Sequence, residues 1–146
     1  RGKTMIALGS DHGGYELKMQ VIAHLKERGL SYKDFGCFGL ESCDYPDFGK
    51  EAARAVAAGE CDRGIVVCTT GIGISIAANK VPGIRCAFCT DPWLAKMTRL
   101  HNDANMLALG GGHTGVNLAL EIVDTFLDTE FSKEEKHVRR VGKLEN

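Results

Sequence analysis

No stretch of this 146-residue chain holds the roughly 20 consecutive apolar positions that span a bilayer, and the N-terminus has no signal-like apolar region. The first lack argues against a helical membrane protein; the two together set the expectation of a cytoplasmic one. An excess of charge is missing too, since 18 Lys and Arg against 19 Asp and Glu leave a net charge of −1. Without a basic footprint, neither nucleic acid nor an anionic membrane is the expected partner, although residues 133–143 are locally basic. A small anion is. The six cysteines lack the spacing of a disulfide scaffold, and a chain of this length builds a core without staples, so reduced thiols are expected. Cys86 and Cys89 form a CxxC, but they fall in the strand pattern Ile84–Cys89, where residues three apart point to opposite faces, which argues against a redox or zinc pair.

What is present, 44% hydrophobic and 25% charged residues, fits one globular domain over residues 1–146 with a single core. Arg1 to Thr4 read as an appended or trimmed end, with Met5 as a start, and take no part in the fold argument. Met5 to Ser10 reads as a buried strand, followed by the turn Asp11-His12-Gly13-Gly14. A helix comes next, with Leu17, Val21, Ile22 and Leu25 on one face and Gly29 at its end. The unit repeats: a strand over Leu30–Phe35, a polar loop from Gly36, and a helix opened by Pro46 and closed by Gly59. Arg63–Cys68 is the third strand, with a helix through Asn79, and Ile84–Cys89 the fourth. Asp91 caps a helix with Pro92 at its first position, running to about Leu100. Asn105–Leu109 makes the fifth strand, and the last long helix carries Val116, Leu120, Val123 and Leu127 on one face. Five alternations with short connections predict an α/β fold, a Rossmann-like three-layer α/β/α sandwich around a five-stranded parallel sheet. Residues 132–146 remain as a charged tail or helix that needs a docking surface, and a partner subunit would supply it.

Ligands of such sheets bind outside the carboxyl ends of the strands, which directs attention to the stretch from Ile65 to Asn79. There an apolar strand ends at Cys68, a Thr- and Gly-rich turn follows, and a small-residue helix begins. Backbone amides at that helix start favour a thiolate, so Cys68 is the candidate nucleophile or base, against the alternative of a buried structural cysteine. Thr70, Gly71 and Gly73 have the makings of an anion nest. Known phosphate loops do not match. A Walker loop needs Lys and a cysteine phosphatase loop needs Arg where Ile74 stands, and a dinucleotide fingerprint needs Gly at Ile76. Asp11 and His12 follow the first strand and can lie beside the Cys68 loop. In His101-Asn102-Asp103-Ala104-Asn105, His101 is the natural acid or base partner for Cys68, while Asp103 and Asn105 read as turn formers. His24 reads as a surface residue, His113 is open to either role, and Lys136, His137, Arg139 and Arg140 form a solvated basic face or an anion clamp.

Taken together, Gly9-Ser10-Asp11-His12-Gly13-Gly14, Asp44-Tyr45-Pro46-Asp47, the run from Cys68 to Lys80, and His101 to Asn105 resemble type B ribose-5-phosphate isomerases. Their galactose-6-phosphate and allose-6-phosphate relatives share the pattern, and the likeness covers nearly the whole chain in order. The resemblance implies an aldose–ketose isomerase of sugar phosphates that needs no metal and no organic cofactor, ribose 5-phosphate to ribulose 5-phosphate first, through a cis-enediol(ate). By motif, Cys68 is the implied base. Thr70 and the loop amides of Thr69, Gly71, Ile72 and Gly73 are implied to hold the oxyanion, and His101 to open the sugar ring. Asn102 and Asp11 would bind hydroxyls; His12, Lys136 and Arg140 would grip the phosphate. One branch of the family has a Glu base where Ile74 stands, which puts this chain in the cysteine branch. Homodimers or homotetramers with active sites shared between subunits are implied as well.

Three positions depart from that pattern. Thr69 replaces a usual Gly, Gly112 a phosphate-binding Arg, and Lys136 a tail Arg; an ammonium or a missing side chain does not replace a guanidinium equivalently. Arg139 or His113 could compensate. A six-carbon sugar 6-phosphate, or an unphosphorylated sugar, is the alternative substrate within this class. A non-catalytic sugar-phosphate-binding subunit is the alternative outside it.

Overall fold

Each strand pattern becomes a strand: β1 (Met5–Ser10), β2 (Ser31–Asp34), β3 (Arg63–Cys68), β4 (Cys86–Phe88) and β5 (Met106–Gly110). In the computed structural model, which describes residues 4–146, all neighbouring strands pair in parallel in the order β2-β1-β3-β5-β4. Of the end segment set aside above, residues 1–3 lie outside the described part. The helices are α1 (Tyr15–Glu27), α2 (Tyr45–Ala57), α3 (Ile72–Asn79), α4 (Pro92–Met97), α5 (Val116–Asp128) and α6 (Glu135–Leu144).

The inner strands are covered on both faces, which is why they read as unbroken apolar runs rather than alternating ones. On one face Ile6, Leu8, Ile65, Val67, Leu107 and Leu109 pack against α1, α4 and α5. On the other, Ala7, Val66, Cys68, Met106 and Ala108 pack against α2 and α3. Each large side chain so buried contributes roughly 1.5–3 kcal/mol. Cys86 falls in the second core and Cys89 in the first, so the CxxC pair is split across the sheet as the strand pattern requires. Burial holds both thiols in the neutral form: Cys89 is pushed up to about 12 and Cys86 further.

The helix ends follow their signals. Gly29 and Gly59 take positive φ just past α1 and α2, and Asp91 accepts the Leu94 N–H at 2.8 Å at the start of α4. Two elements differ from expectation. The fourth strand is shorter because Ile84 N–H turns to Val81 O and Arg85 N–H to Asn105 Oδ1. On the outer side of that strand the Asn79 amide brackets Cys86, donating to its carbonyl at 2.9 Å and accepting its N–H at 2.8 Å. The helix after Asp91 does not run to Leu100 as an α-helix; from Thr98 to Asn102 it widens into a π-helical turn. Arg99, 2% exposed, faces inward from that turn and donates to Thr129 O, Ala104 O and Asp103.

Lys18 is wholly buried as well, bound to Asp34 at 2.7 Å and to Cys37 O, which ties α1 to the loop after β2. His24, expected at the surface, is half-buried and pairs with Asp124 at 2.7 Å, linking α1 to α5. The C-terminal segment, expected as a charged tail or helix, forms α6 and packs against the π-helical turn of its own chain.

Candidate active site

Because β1, β3 and β5 are neighbours, the loops that leave their carboxyl ends form one surface. Asp11 opens the first loop: its N–H donates to Val67 O at 3.2 Å, and its buried carboxylate accepts the Gly14 N–H at 3.0 Å. His12 Nδ1 accepts the Cys43 N–H at 3.2 Å, so in the neutral ring the proton sits on Nε2. Sequence reasoning passed over Cys43, whose contribution is a main-chain group.

The second loop follows β3. Cys68 is buried, and its Sγ accepts the Gly71 N–H at 3.2 Å. Gly71 reaches that position with φ +85°, a conformation L side chains rarely adopt, and a Cβ there would stand 2.6 Å from the Phe88 ring. Thr70 Oγ1 accepts the Ile72 N–H at 3.1 Å, closing the turn as α3 begins. Thr69, Thr70 and Ile72 are exposed, and Gly73 is half-buried at the first turn of α3. The third loop follows β5: the Gly111 N–H donates to Cys68 O and the Gly112 N–H to Thr69 O, both at 2.8 Å. Asp11, His12, Cys68, Thr69, Thr70, Gly71, Ile72 and Gly73 are thus brought together.

His101 and Asn102 are not part of this group. They lie in the connection that enters β5, and β5 itself, about 13 Å long, separates the start of that strand from Gly110 beside Cys68. A helix-to-strand connection delivers the chain to the amino edge of a parallel sheet, so within one chain the expected pairing of His101 with Cys68 does not form. At that edge His101 stacks on His137, with ring centroids 4.3 Å apart. The two rings, with Asn102, Arg140, Val141 and Leu144, line a cavity of about 290 Å³. Asn102 Oδ1 accepts a hydrogen bond from Thr98 Oγ1 at 3.1 Å, and Lys136 is exposed on α6. His137 has its pKa lowered, first by burial and then by His101, Lys136 and Arg140, against the opposing pull of Glu134.

Sequence reasoning also missed what holds this edge. Arg85 donates to Asn102 O and Asp103 O and pairs with Glu145; with Arg99 it fixes Asp103 in a left-handed conformation, φ +47°. The only signal was the turn-forming Asp103. Of the possible compensators, Arg139 is paired with Glu135 at 3.2 Å and His113 contacts Thr114 Oγ1. Among the described residues no cluster of three His, Cys, Asp or Glu could hold a metal ion, and no helix is long and apolar enough to cross a membrane.

The family described as Ribose/Galactose Isomerase matches residues 6–144. Ribose-5-phosphate isomerase B of Escherichia coli is 47% identical over 136 residues, 93% of this chain and 91% of that protein. The galactose-6-phosphate isomerase subunit LacB of Clostridium acetobutylicum is 41% identical over 127 residues, 87% of this chain and 73% of that protein. Among solved structures, ribose-5-phosphate isomerase B of Clostridium thermocellum superposes with a TM-score of 0.95 at 59% identity, covering 97% of this chain and 95% of that one.

Proposed function

This chain belongs to the ribose/galactose isomerase family, and on that premise we propose that it interconverts the aldose and ketose forms of a sugar phosphate, ribose 5-phosphate and ribulose 5-phosphate before others. The observation that carries the reading is the Gly71 N–H aimed at the buried Cys68 sulfur at the start of α3. As a thiolate, Cys68 takes the C2 proton of the open-chain aldose. The C–H electron pair becomes the C1=C2 bond of a cis-enediolate, and the carbonyl pair moves to O1. Thr70 and the amides of the loop from Thr69 to Gly73 stabilise that oxyanion, an effect of about 2.7–4 kcal/mol per donor in comparable sites. A proton then passes from O2 to O1, the C2 carbonyl forms, and the Cys68 thiol returns its proton to C1.

His101 moves the proton that opens the sugar ring, Asp11 and Asn102 bind hydroxyls, and His12, Lys136 and Arg140 meet the phosphate. We assign His101, Asn102, Lys136 and Arg140 to the site of a second copy, because β5 lies between them and Cys68 of their own chain. The assembly is a homodimer or homotetramer with shared sites, in the cytoplasm, and the reaction needs no cofactor.

A six-carbon sugar 6-phosphate is the second reading, favoured by the exposed Gly112, which leaves the mouth of the site without a side chain. Purified protein incubated in deuterated water with ribose 5-phosphate, allose 6-phosphate or galactose 6-phosphate tests both. Deuterium incorporation and ketose formation with the five-carbon sugar are expected. Turnover of only a six-carbon substrate would favour the second reading, and binding without exchange would leave a non-catalytic subunit.

A further inference from the structure

A position requires glycine either because its backbone takes a positive φ or because a Cβ has no room. Gly13 and Gly112 are not among the positive-φ glycines, so the first reason does not apply. The second does, and one side chain imposes it on both. A Cβ on Gly13 would stand 1.9 Å from Thr69 Oγ1, and one on Gly112 would stand 2.9 Å from Thr69 Cγ2. The Thr69 side chain is therefore wedged between the first and third loops of the site, its hydroxyl against one and its methyl against the other. Both branches sit on one Cβ, so a single χ1 setting makes both contacts, and a side chain added at 13 or 112 forces that setting to change. Thr69 O accepts the Gly112 N–H at 2.8 Å, so the main chains are tied at the same point.

We propose that Thr69 is a specificity-determining residue: by filling the seam beside Cys68 it keeps position 112 bare and so denies the third loop a cation for the substrate's anionic end. This rests on the reading of the site as one for a sugar phosphate. The phosphate is then met by His12 and by Lys136 and Arg140 from α6, and no planar guanidinium fork reaches it from beside the base. Gly112 is exposed and does not take a positive φ, so removing the Thr69 side chain clears the nearest obstacle to an arginine there and leaves the Thr69 carbonyl oxygen at 3.1 Å, from which the loop must give by a few tenths of an ångström.

The test is a double-mutant cycle on the full chain: wild type, Thr69→Gly, Gly112→Arg, and both together. Melting temperature and kcat/KM for ribose 5-phosphate and for unphosphorylated ribose are measured on each. Gly112→Arg alone is expected to melt lower and to lose about tenfold in kcat/KM for the phosphate, and the double variant to recover both beyond additivity. The double variant should also prefer the phosphorylated over the unphosphorylated sugar by about tenfold more than wild type, the effect of one added charge-assisted contact. Wild-type behaviour of Gly112→Arg, or additive effects in the double variant, would overturn the inference while isomerase activity in the wild type left the functional reading standing. If no protein of the four turned over a sugar phosphate, that reading would fall, and additive or coupled melting temperatures would still decide whether Thr69 is what bars a side chain at 112.

Discussion

His137 lies flat on His101, the ring planes 15° apart, and this contact seats α6 on the π-helical turn of its own chain. Two imidazoles at that distance cannot both be protonated without repulsion, and burial adds to the cost. The pKa of His137 is accordingly lowered in the folded protein, where the unfolded chain has the ordinary value of about 6.5. The unfolded state therefore binds more protons, and the stabilisation is fully present above pH 6.5 and lost as pH falls towards the lowered folded value. Protection factors of the amides in residues 135–144, corrected for the intrinsic exchange rate at each pH, should fall on going from neutral pH to pH 5, ahead of those of the sheet. His137→Phe should remove most of that difference.

Cys68→Ala should leave folding intact, since the side chain only shrinks at the edge of the core, and should cut kcat by about 10²–10⁴, the usual range for a lost general base. Isomerisation kinetics together with loss of the C2 deuterium label give the check. Near-normal turnover would remove Cys68 from the role of base.

Gly71→Ala strikes the same step from the other side. A methyl group at φ +85° and 2.6 Å from the Phe88 ring forces the loop to shift and carries the N–H away from the sulfur. Stability should fall by about 1–3 kcal/mol in urea denaturation, with kcat reduced about 10²-fold or more.

The assignment of His101 to a second copy predicts complementation. Cys68→Ala and His101→Ala should each be inactive alone. Mixed after dissociation and reassembly, they should regain about a quarter of wild-type activity, since half of randomly assorted dimers are mixed and one of their two sites is intact. No recovery from verified mixed dimers would place both residues in the same chain's site.

Arg99→Met leaves Asp103 without its closest cation and two carbonyls without donors in the interior. Asp103 is partly exposed and keeps Arg85 at 3.7 Å, so the main loss is the two carbonyls left unmet, about 1–3 kcal/mol each, which chemical denaturation would read directly.

The sequence made the alternation of strand and helix plain because the inner strands are apolar on both faces and Asp91, Gly29 and Gly59 mark helix ends in the ordinary way. It also brought Asp11 and His12 to Cys68, since strand-to-helix loops of neighbouring parallel strands must share an edge. Which copy's Cys68 His101 would serve was not legible, because an active-site motif says nothing of which edge it occupies; only the direction of its connection into β5 does. Lys18 and Arg99 were illegible for a different reason. A charged residue in a helical pattern reads as solvent-facing, and the groups that let these two be buried are largely main-chain carbonyls from distant segments, which carry no signature in the sequence.

The amide of Asn79 on Cys86 has a consequence for assembly. An unpaired outer strand is a template on which another chain can add a strand and propagate, and at Cys86 the donor and acceptor such a strand would use are already taken by a side chain of the same molecule. A copy that lengthens the sheet on the β4 side must first displace Asn79 and replace both of its hydrogen bonds, which sets a cost on that route of association at the first residue of the strand.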